Sequence, residues 1–101
     1  MKILKHTLNQ YDHTPTLEVP KDSQVLKVAE QNRTLVVWVQ IPDDPADINK
    51  NFDAVDVWRF LILGTGDFVE DTTIAEYSYL DTVQMSSGLV WHVFIQWSHS
   101  Q

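Results

Sequence analysis

The stretch at residues 88–97, Gly-Leu-Val-Trp-His-Val-Phe-Ile-Gln-Trp, constrains the fold of this chain more than any other. Successive side chains of a β-strand point to opposite faces. One face of this stretch is wholly apolar and carries Leu89, Trp91, Val93, Ile95 and Trp97, whereas the other face is mixed. A strand of this kind lies near the middle of a sheet with its apolar face in the core. We therefore expect Trp91 to be at least nine-tenths buried.

Alternating apolar residues and turn signals predict further strands at residues 1–8, 16–20, 24–31, 34–41, 54–63 and 75–85. Pro20 marks its strand as an edge or a strand end. The β-branched run at residues 34–41 is expected to be buried on both faces. In the strand at residues 75–85, we expect Tyr77, Tyr79, Val83 and Met85 to share a face. Residues 86–88 then form the turn of a hairpin between the last two strands.

The chain shows no convincing helical periodicity, and the acidic segment at residues 68–73 is predicted to be a loop. A length of 101 residues is typical of one domain. The fold class that follows is all-β, as a compact single-domain antiparallel sandwich or small barrel of six to seven strands over residues 1–101. Asn32 and Arg33 are expected to form a two-residue turn, although they lack the glycine that tight hairpins prefer.

The net charge of −7 is concentrated in the middle of the chain. Residues 43–81 contain ten acidic and two basic residues, whereas the rest of the chain contains four acidic and five basic residues. A protein that binds a nucleic-acid backbone neutralises phosphates with cations, so this charge disfavours direct DNA or RNA binding. Two interpretations of the acidic segment remain, a solvated surface or a surface that meets a basic protein.

Three features of the sequence predict a cytoplasmic location. The chain contains no cysteine, which removes disulfides, thiol catalysis and thiolate metal sites. No apolar run approaches the roughly 20 residues of a membrane helix. The first residues, Met-Lys-Ile-Leu-Lys-His, lack the apolar core and cleavage site of a signal peptide. We therefore expect a cytoplasmic protein that has no membrane partner.

Candidate catalytic and metal-binding groups are few. His92 lies on the mixed face of its strand, where a base, a metal ligand, a pH switch or simply a hydrogen-bonded surface histidine is conceivable; the last is favoured. His6 would approach it only if the first and last strands pair. No third ligand stands at a metal-binding spacing, and neither the acid pairs nor any Ser–His–Asp order is distinctive. The sequence predicts a protein that is not an enzyme and that holds no metal or cofactor.

Two loops resemble binding motifs and then depart from them. Residues 47–53 place oxygen-bearing side chains at alternate positions, as a calcium loop does, but Phe52 stands in place of the required glycine and Trp58 in place of the bidentate glutamate. Gly-Thr-Gly at residues 64–66 follows a strand, as phosphate-binding turns do, but neither phosphate-binding fingerprint is complete. The neighbouring acids at 67, 70 and 71 would also repel a phosphate. A solvated loop and a plain turn are the favoured interpretations.

Trp97 has two open interpretations. It either completes the apolar face that begins at Leu89 or lies beyond the core as an interface anchor, a role in which exposed tryptophans are common. The residues after it, Ser-His-Ser-Gln, are all polar. A strand that extends past its neighbours leaves unpaired backbone groups that can recruit another strand, so a homo-oligomer is a further expectation.

Eight short segments, together with the strand that contains Trp38, carry a resemblance to a known family. They lie at residues 5–8, 17–21, 25–28, 31–32, 59–60, 63–66, 79–84 and 88–94. The most specific are the Gly-Thr-Gly turn and the Leu-Val-Trp-His-Val-Phe strand. The set resembles a family of small proteins of unknown function encoded by bacteriophages and prophages. This resemblance implies a phage or prophage origin, a compact β domain and action inside the cell, and it carries no activity to transfer. The loop at residues 43–53 and the tail at residues 95–101 look unusual for that family.

The leading hypothesis is a phage-encoded, non-catalytic binding protein that acts in the host bacterial cytoplasm on a host protein with a basic surface, for example by inhibiting a defence protein. The residues expected to form its binding surface are Asp43, Asp44, Asp47, Asp53, Asp67, Glu70, Asp71 and Trp97. Two alternatives stay open. One is an oligomeric β domain that sequesters a small ligand in an aromatic-lined pocket, and the other is a structural or assembly component of the virion.

Overall fold

Two antiparallel sheets make up the fold of this chain. The computed structural model describes residues 1–42 and 55–99. Within them lie β1 (Lys2–Leu8), β2 (Thr16–Pro20), β3 (Gln24–Gln31), β4 (Thr34–Ile41), β5 (Val55–Gly64), α1 (Asp71–Ile74), β6 (Ser78–Gln84) and β7 (Val90–His99). One sheet has the order β1-β4-β3 and the other the order β2-β5-β7-β6. The predicted all-β sandwich is therefore confirmed, with seven strands in this part of the chain.

The core fills the space between the two sheets. Every strand except β6 contributes fully buried side chains to the core. The contribution of β6 is Val83, which is 7 % exposed. The rings of Trp58 and Phe60, both on β5, meet edge-on with centroids 6.5 Å apart. β4, β5 and β7 are the interior strands, as their apolar sequences require, and β2 with Pro20 lies at a sheet edge, as predicted.

Burial of β4 on both faces is only partly confirmed. Leu35, Val37 and Val39 face the core and are fully buried, and Val36 on the outer face is 3 % exposed. Trp38 on that outer face is only partly buried, because no second layer covers this sheet among the described residues. Lys5 and Gln31, hydrogen-bonded to each other from β1 and β3, lie on the same side of the sheet as Val36.

The β3–β4 turn has the expected two-residue length. Gln31 pairs with Thr34, and the two residues between them, Asn32 and Arg33, have φ of 53° and 66°. Positive φ at both central positions is the signature of the type I′ turn, whose twist matches that of the flanking strands. The prediction of a turn here is confirmed, even though no glycine relieves the strain.

One side of the sandwich is joined by polar contacts between the edge strands β3 and β6. The carboxylate of Glu30 accepts hydrogen bonds from the backbone N–H and the hydroxyl of Ser86, at 2.8 and 2.7 Å. Lys27 and Asp81 form an ion pair at 3.7 Å, which at this exposure adds little stability. These contacts hold the hairpin end of β6 against the other sheet.

The connection from β5 to β6 crosses over β7. Both strands are antiparallel to β7, so they are parallel to each other and the chain must pass over a face of the sheet to join them. The passage includes α1, a single helical turn, where the sequence predicted a loop for residues 68–73. None of the helices in the described part of the chain is long and apolar enough to span a membrane.

The predicted burial of Trp91 is wrong. Val93 and Ile95 are fully buried, but Trp91 is only partly buried, and Leu89 and Trp97 at the two ends are 47 % and 49 % exposed. Trp91 lies opposite Gly64, which ends β5 and has no side chain to cover the indole. Alternation assigned the correct face, but the burial of each residue depends on how far the neighbouring strands extend.

The expected shared face of β6 is also wrong. Val83 and Met85 are buried, whereas Tyr79 is 60 % exposed and stacks edge-on against Phe94 on the outer face, at 5.5 Å. The pairing with β7 shifts between Tyr79 and Asp81, so Leu80 is an extra residue in the strand. Such a β-bulge reverses the alternation, which places Tyr79 outside and lets Leu80 pack against the core.

Candidate functional site

The crossover between β5 and β6 covers the outer face of β7. At its start, Thr65 Oγ1 lies 2.8 Å from His92 Nε2, and at its end Gln96 Nε2 donates to the carbonyl of Glu76 at 3.4 Å. His92 and Gln96 alternate with the core residues Val93 and Ile95, so they lie on the face away from the core. The crossover is therefore fixed to the sheet at both ends.

The first turn of the crossover is built around Asp67. Its Oδ2 accepts from the backbone N–H of Gly64 at 2.8 Å, and its own N–H donates to the Gly64 carbonyl at 3.0 Å. A side chain at position 64 would stand 3.3 Å from Asp67 Oδ2 and 3.6 Å from the Trp91 ring, and Gly66 has φ of +95°. Both glycines of the Gly-Thr-Gly motif thus serve the turn, as the plain-turn interpretation predicted.

The crossover presents an aromatic ring among carboxylates. Phe68 is 87 % exposed, and the side chains of Asp67, Glu70 and Asp71 around it are also exposed. Glu70 precedes α1 and makes no capping hydrogen bond with its side chain. We name Asp67, Phe68, Glu70 and Asp71 the acidic crossover surface. Three of its members were predicted from charge, and Phe68 was missed, although a large apolar residue in an acidic segment outside any alternation is a usable signal.

His92 is a hydrogen-bonded histidine at the sheet surface, as favoured from the sequence. Its Nδ1 lies 3.1 Å from the hydroxyl of Thr82, which in turn lies 2.6 Å from the hydroxyl of Tyr79. With Thr65 on Nε2, both ring nitrogens bind hydroxyl groups, so a neutral imidazole donates to one and accepts from the other. A hydroxyl–imidazole pair of this kind activates a nucleophile when a third group orients the base. Here that third group is a threonine and not a carboxylate.

The two histidines singled out from the sequence do not meet. His6 lies on β1 in the three-stranded sheet and faces the core side in a row with Val37 and Val28, whereas His92 lies on the outer face of the other sheet. Among the described residues, no group of three or more His, Asp or Glu side chains is placed to hold a metal ion.

A cavity of about 620 Å³ opens at the hairpin end of the sandwich. Three segments line it: the β1–β2 connection at residues 10–13, the turn at residues 64–67, and the start of the last strand at residues 88–91. Trp91 borders this cavity, which accounts for its incomplete burial. Its indole nitrogen is nonetheless occluded and has no hydrogen-bond partner among the described residues.

Comparison with known protein families identifies the family of this chain. The sequence pattern of the family described as Domain of unknown function (DUF7352) matches residues 1–101. The chain belongs to the DUF7352 family. The match includes residues 43–53 and 95–101, so both segments that look unusual from the resemblance lie within the DUF7352 domain. No curated protein and no solved structure matches the chain.

The DUF7352 domain does not bring all of its predicted binding residues together. Asp43, Asp44, Asp47 and Asp53 lie outside the described residues, as does the calcium-like stretch at residues 47–53. Trp97 pairs with Trp58, whereas Gly64 beside Asp67 pairs with Trp91. Trp97 lies six positions after Trp91 along β7, a distance of about 20 Å at the usual rise per residue. Trp97 is thus at the opposite end of the sheet from Asp67.

Charge is unequally distributed between the two outer faces of the DUF7352 domain. On the outer face of the three-stranded sheet, Trp38 lies between its cross-strand neighbours Lys5 and Lys27. No acidic side chain lies on that face within the described strands, because the acid of β3, Glu30, points to the core side and binds Ser86. The opposite outer face carries the acidic crossover surface, Glu18 and Glu76, together with the cation Arg59 on β5.

Proposed function

We propose that this chain is a non-catalytic protein-binding domain that docks a basic surface of its partner on the acidic crossover surface. The partner is a host protein, the domain is encoded by a bacteriophage or prophage, and binding takes place in the host bacterial cytoplasm. Inhibition of the bound protein, such as a component of a defence system, is the role that such binding would serve.

The observation that carries this proposal is the position of Phe68. A phenylalanine ring 87 % exposed to water loses the free energy of apolar burial, of the order of 2 kcal/mol, unless a partner covers it. Aromatic rings that fill a pocket on a partner are common anchors of protein interfaces, and charged groups around them form the rim. Phe68 with Asp67, Glu70 and Asp71 has this arrangement.

The excess of acidic groups on the crossover supports a basic partner over an acidic one. Carboxylates concentrated on one face give the domain an oriented field that attracts a basic surface and turns it toward the crossover. Lys5 on the opposite face adds to this orientation, whereas Lys27 is paired with Asp81. The resemblance to phage and prophage proteins supports the proposed origin.

Site-specific photo-cross-linking tests the proposal. A photoreactive phenylalanine analogue is placed at Phe68 in the full chain expressed in bacteria, with the same analogue at Leu26, which is 47 % exposed on β3, as the matched control. We expect a protein with a basic surface to be cross-linked at position 68 and not at position 26. Identical products at both positions, or no product at position 68, would contradict the proposal.

A further inference from the structure

We propose that the cavity at the hairpin end binds a neutral, hydroxyl-bearing saturated ring, the chemistry of a monosaccharide unit. The cavity shares Asp67 with the acidic crossover surface, but this inference does not depend on the proposed protein binding. It follows from which polar atoms of the lining are free, from the surface that accompanies them, and from the charge of the site.

Three polar side chains that line the cavity each use one atom to fix themselves to the backbone. Gln10 Oε1 accepts from the N–H of Leu35 at 3.1 Å, and Asp67 Oδ2 accepts from the N–H of Gly64 at 2.8 Å. His13 Nδ1 lies 3.2 Å from the carbonyl of Ile62, to which it donates. Each side chain is thus held in place and keeps a second polar atom with no partner among the described residues.

The backbone around these side chains is also fixed. The carbonyl of His13 accepts from the N–H of Ile62 at 2.9 Å, and the carbonyl of Pro15 accepts from Phe60 at 2.8 Å, so residues 13–15 continue the β2–β5 ladder beyond β2. Asn9 and Asp12 accept hydrogen bonds from backbone N–H groups two residues further on. A site held in this way pays little ordering entropy when a ligand binds.

The free atoms are a mixture of donors and acceptors. The amide of Gln10 donates, whereas Asp67 Oδ1 and, in neutral His13, Nε2 accept. The Trp91 N–H is occluded and therefore out of reach of a ligand, so Trp91 contributes the apolar surface of its ring to the cavity. A hydroxyl group both donates and accepts, so it suits either kind of partner.

The geometry favours a saturated ring over a flat one. The free atoms belong to two chain segments that both line the cavity, residues 10–13 and residues 64–67. Hydroxyl groups leave a saturated ring in several directions, whereas a planar base presents its polar atoms in one plane. Trp91 and the half-exposed Leu89 supply apolar surface for the C–H face of such a ring. The Asp67 carboxylate disfavours an anionic ligand, since no Lys or Arg lines the cavity in the described part of the chain.

The indole N–H signals of the 15N-labelled full chain test this inference directly. The four tryptophans are assigned by single Trp→Phe substitutions, and glucose, galactose, mannose and N-acetylglucosamine are titrated at millimolar concentrations. We expect at least one sugar to shift the Trp91 signal saturably and to leave the Trp58 signal unchanged. Trp58 is the matched control, because its indole nitrogen is also occluded and unpartnered but lies in the core.

A charge-neutral variant sharpens the test. Asp67→Asn should weaken binding of the sugar at least about tenfold, as expected for loss of a hydrogen bond to a charged group. Glu18→Gln on β2 should leave the affinity for the sugar unchanged. The inference is overturned if no sugar shifts Trp91 saturably, if Trp58 shifts equally, or if adenine or uracil shifts Trp91 where the sugars do not. The titration contains no protein partner, so its outcome is independent of the proposed protein-binding role.

Discussion

Replacement of Trp58 by alanine is expected to lower the free energy of unfolding by about 3–4 kcal/mol. Trp58 is fully buried and its ring packs edge-on against Phe60. The range lies at the low end for a buried tryptophan, because the unpartnered indole N–H of Trp58 offsets part of the gain from burial. A domain of this size has a total stability of roughly 5–15 kcal/mol, so this loss is a large share of the total.

Chemical denaturation of Trp58→Ala beside Trp91→Ala measures this effect. Trp91 is only partly buried and borders the cavity, so its replacement should cost at least about 1 kcal/mol less than that of Trp58. A larger loss for Trp91→Ala would place the centre of the core at the hairpin end and would contradict the burial described above.

Reversal of charge on the crossover is expected to slow association with the basic partner at least about tenfold at low salt. The change is Glu70→Lys with Asp71→Lys, two exposed acids whose side chains are not part of the turn around Asp67. Because rim charges act over the distance at which partners approach, the effect should appear in the on-rate and should shrink as salt shortens the Debye length.

The matched control for charge reversal is Glu18→Lys with Asp22→Lys, two exposed acids away from the crossover. It changes the net charge by the same amount, so it separates a local effect from a general one. Stopped-flow association at several ionic strengths gives the comparison. Equal slowing by both pairs, or an on-rate that does not depend on salt, would remove the crossover from the mechanism.

Local pattern was sufficient to predict the strands but not their order. Alternation and turn residues define each strand from its own sequence, which is why β2, β3, β4, β5 and β7 lie where expected. The crossover of β5 to β6 over β7 depends on pairing between distant strands, which no single segment encodes. For this reason the sequence indicated that residues 67–71 are acidic and did not indicate that they cover the face carrying His92.

The misplaced side chains have similar causes. The bulge at Leu80 adds one residue to β6 without any glycine or proline to announce it, and this moved Tyr79 to the outer face. The incomplete burial of Trp91 comes from Gly64 on the neighbouring strand, and that of Trp97 from β6, which begins only at Ser78 opposite Ile95. The burial of a residue at a strand end depends on how far the neighbouring strands extend. Sequence alone therefore predicted the residues at the centre of the core better than those at its edges.

The affinity of the Phe68→Ala variant for the protein captured at position 68 tests the central claim most directly. Loss of an interface anchor costs 2 kcal/mol or more, so the dissociation constant should rise by about 30-fold or more. Leu26→Ala, which removes an exposed apolar side chain from the other sheet, should leave it unchanged. Equal dissociation constants for Phe68→Ala and the unaltered protein would show that the acidic crossover surface is not where the partner binds.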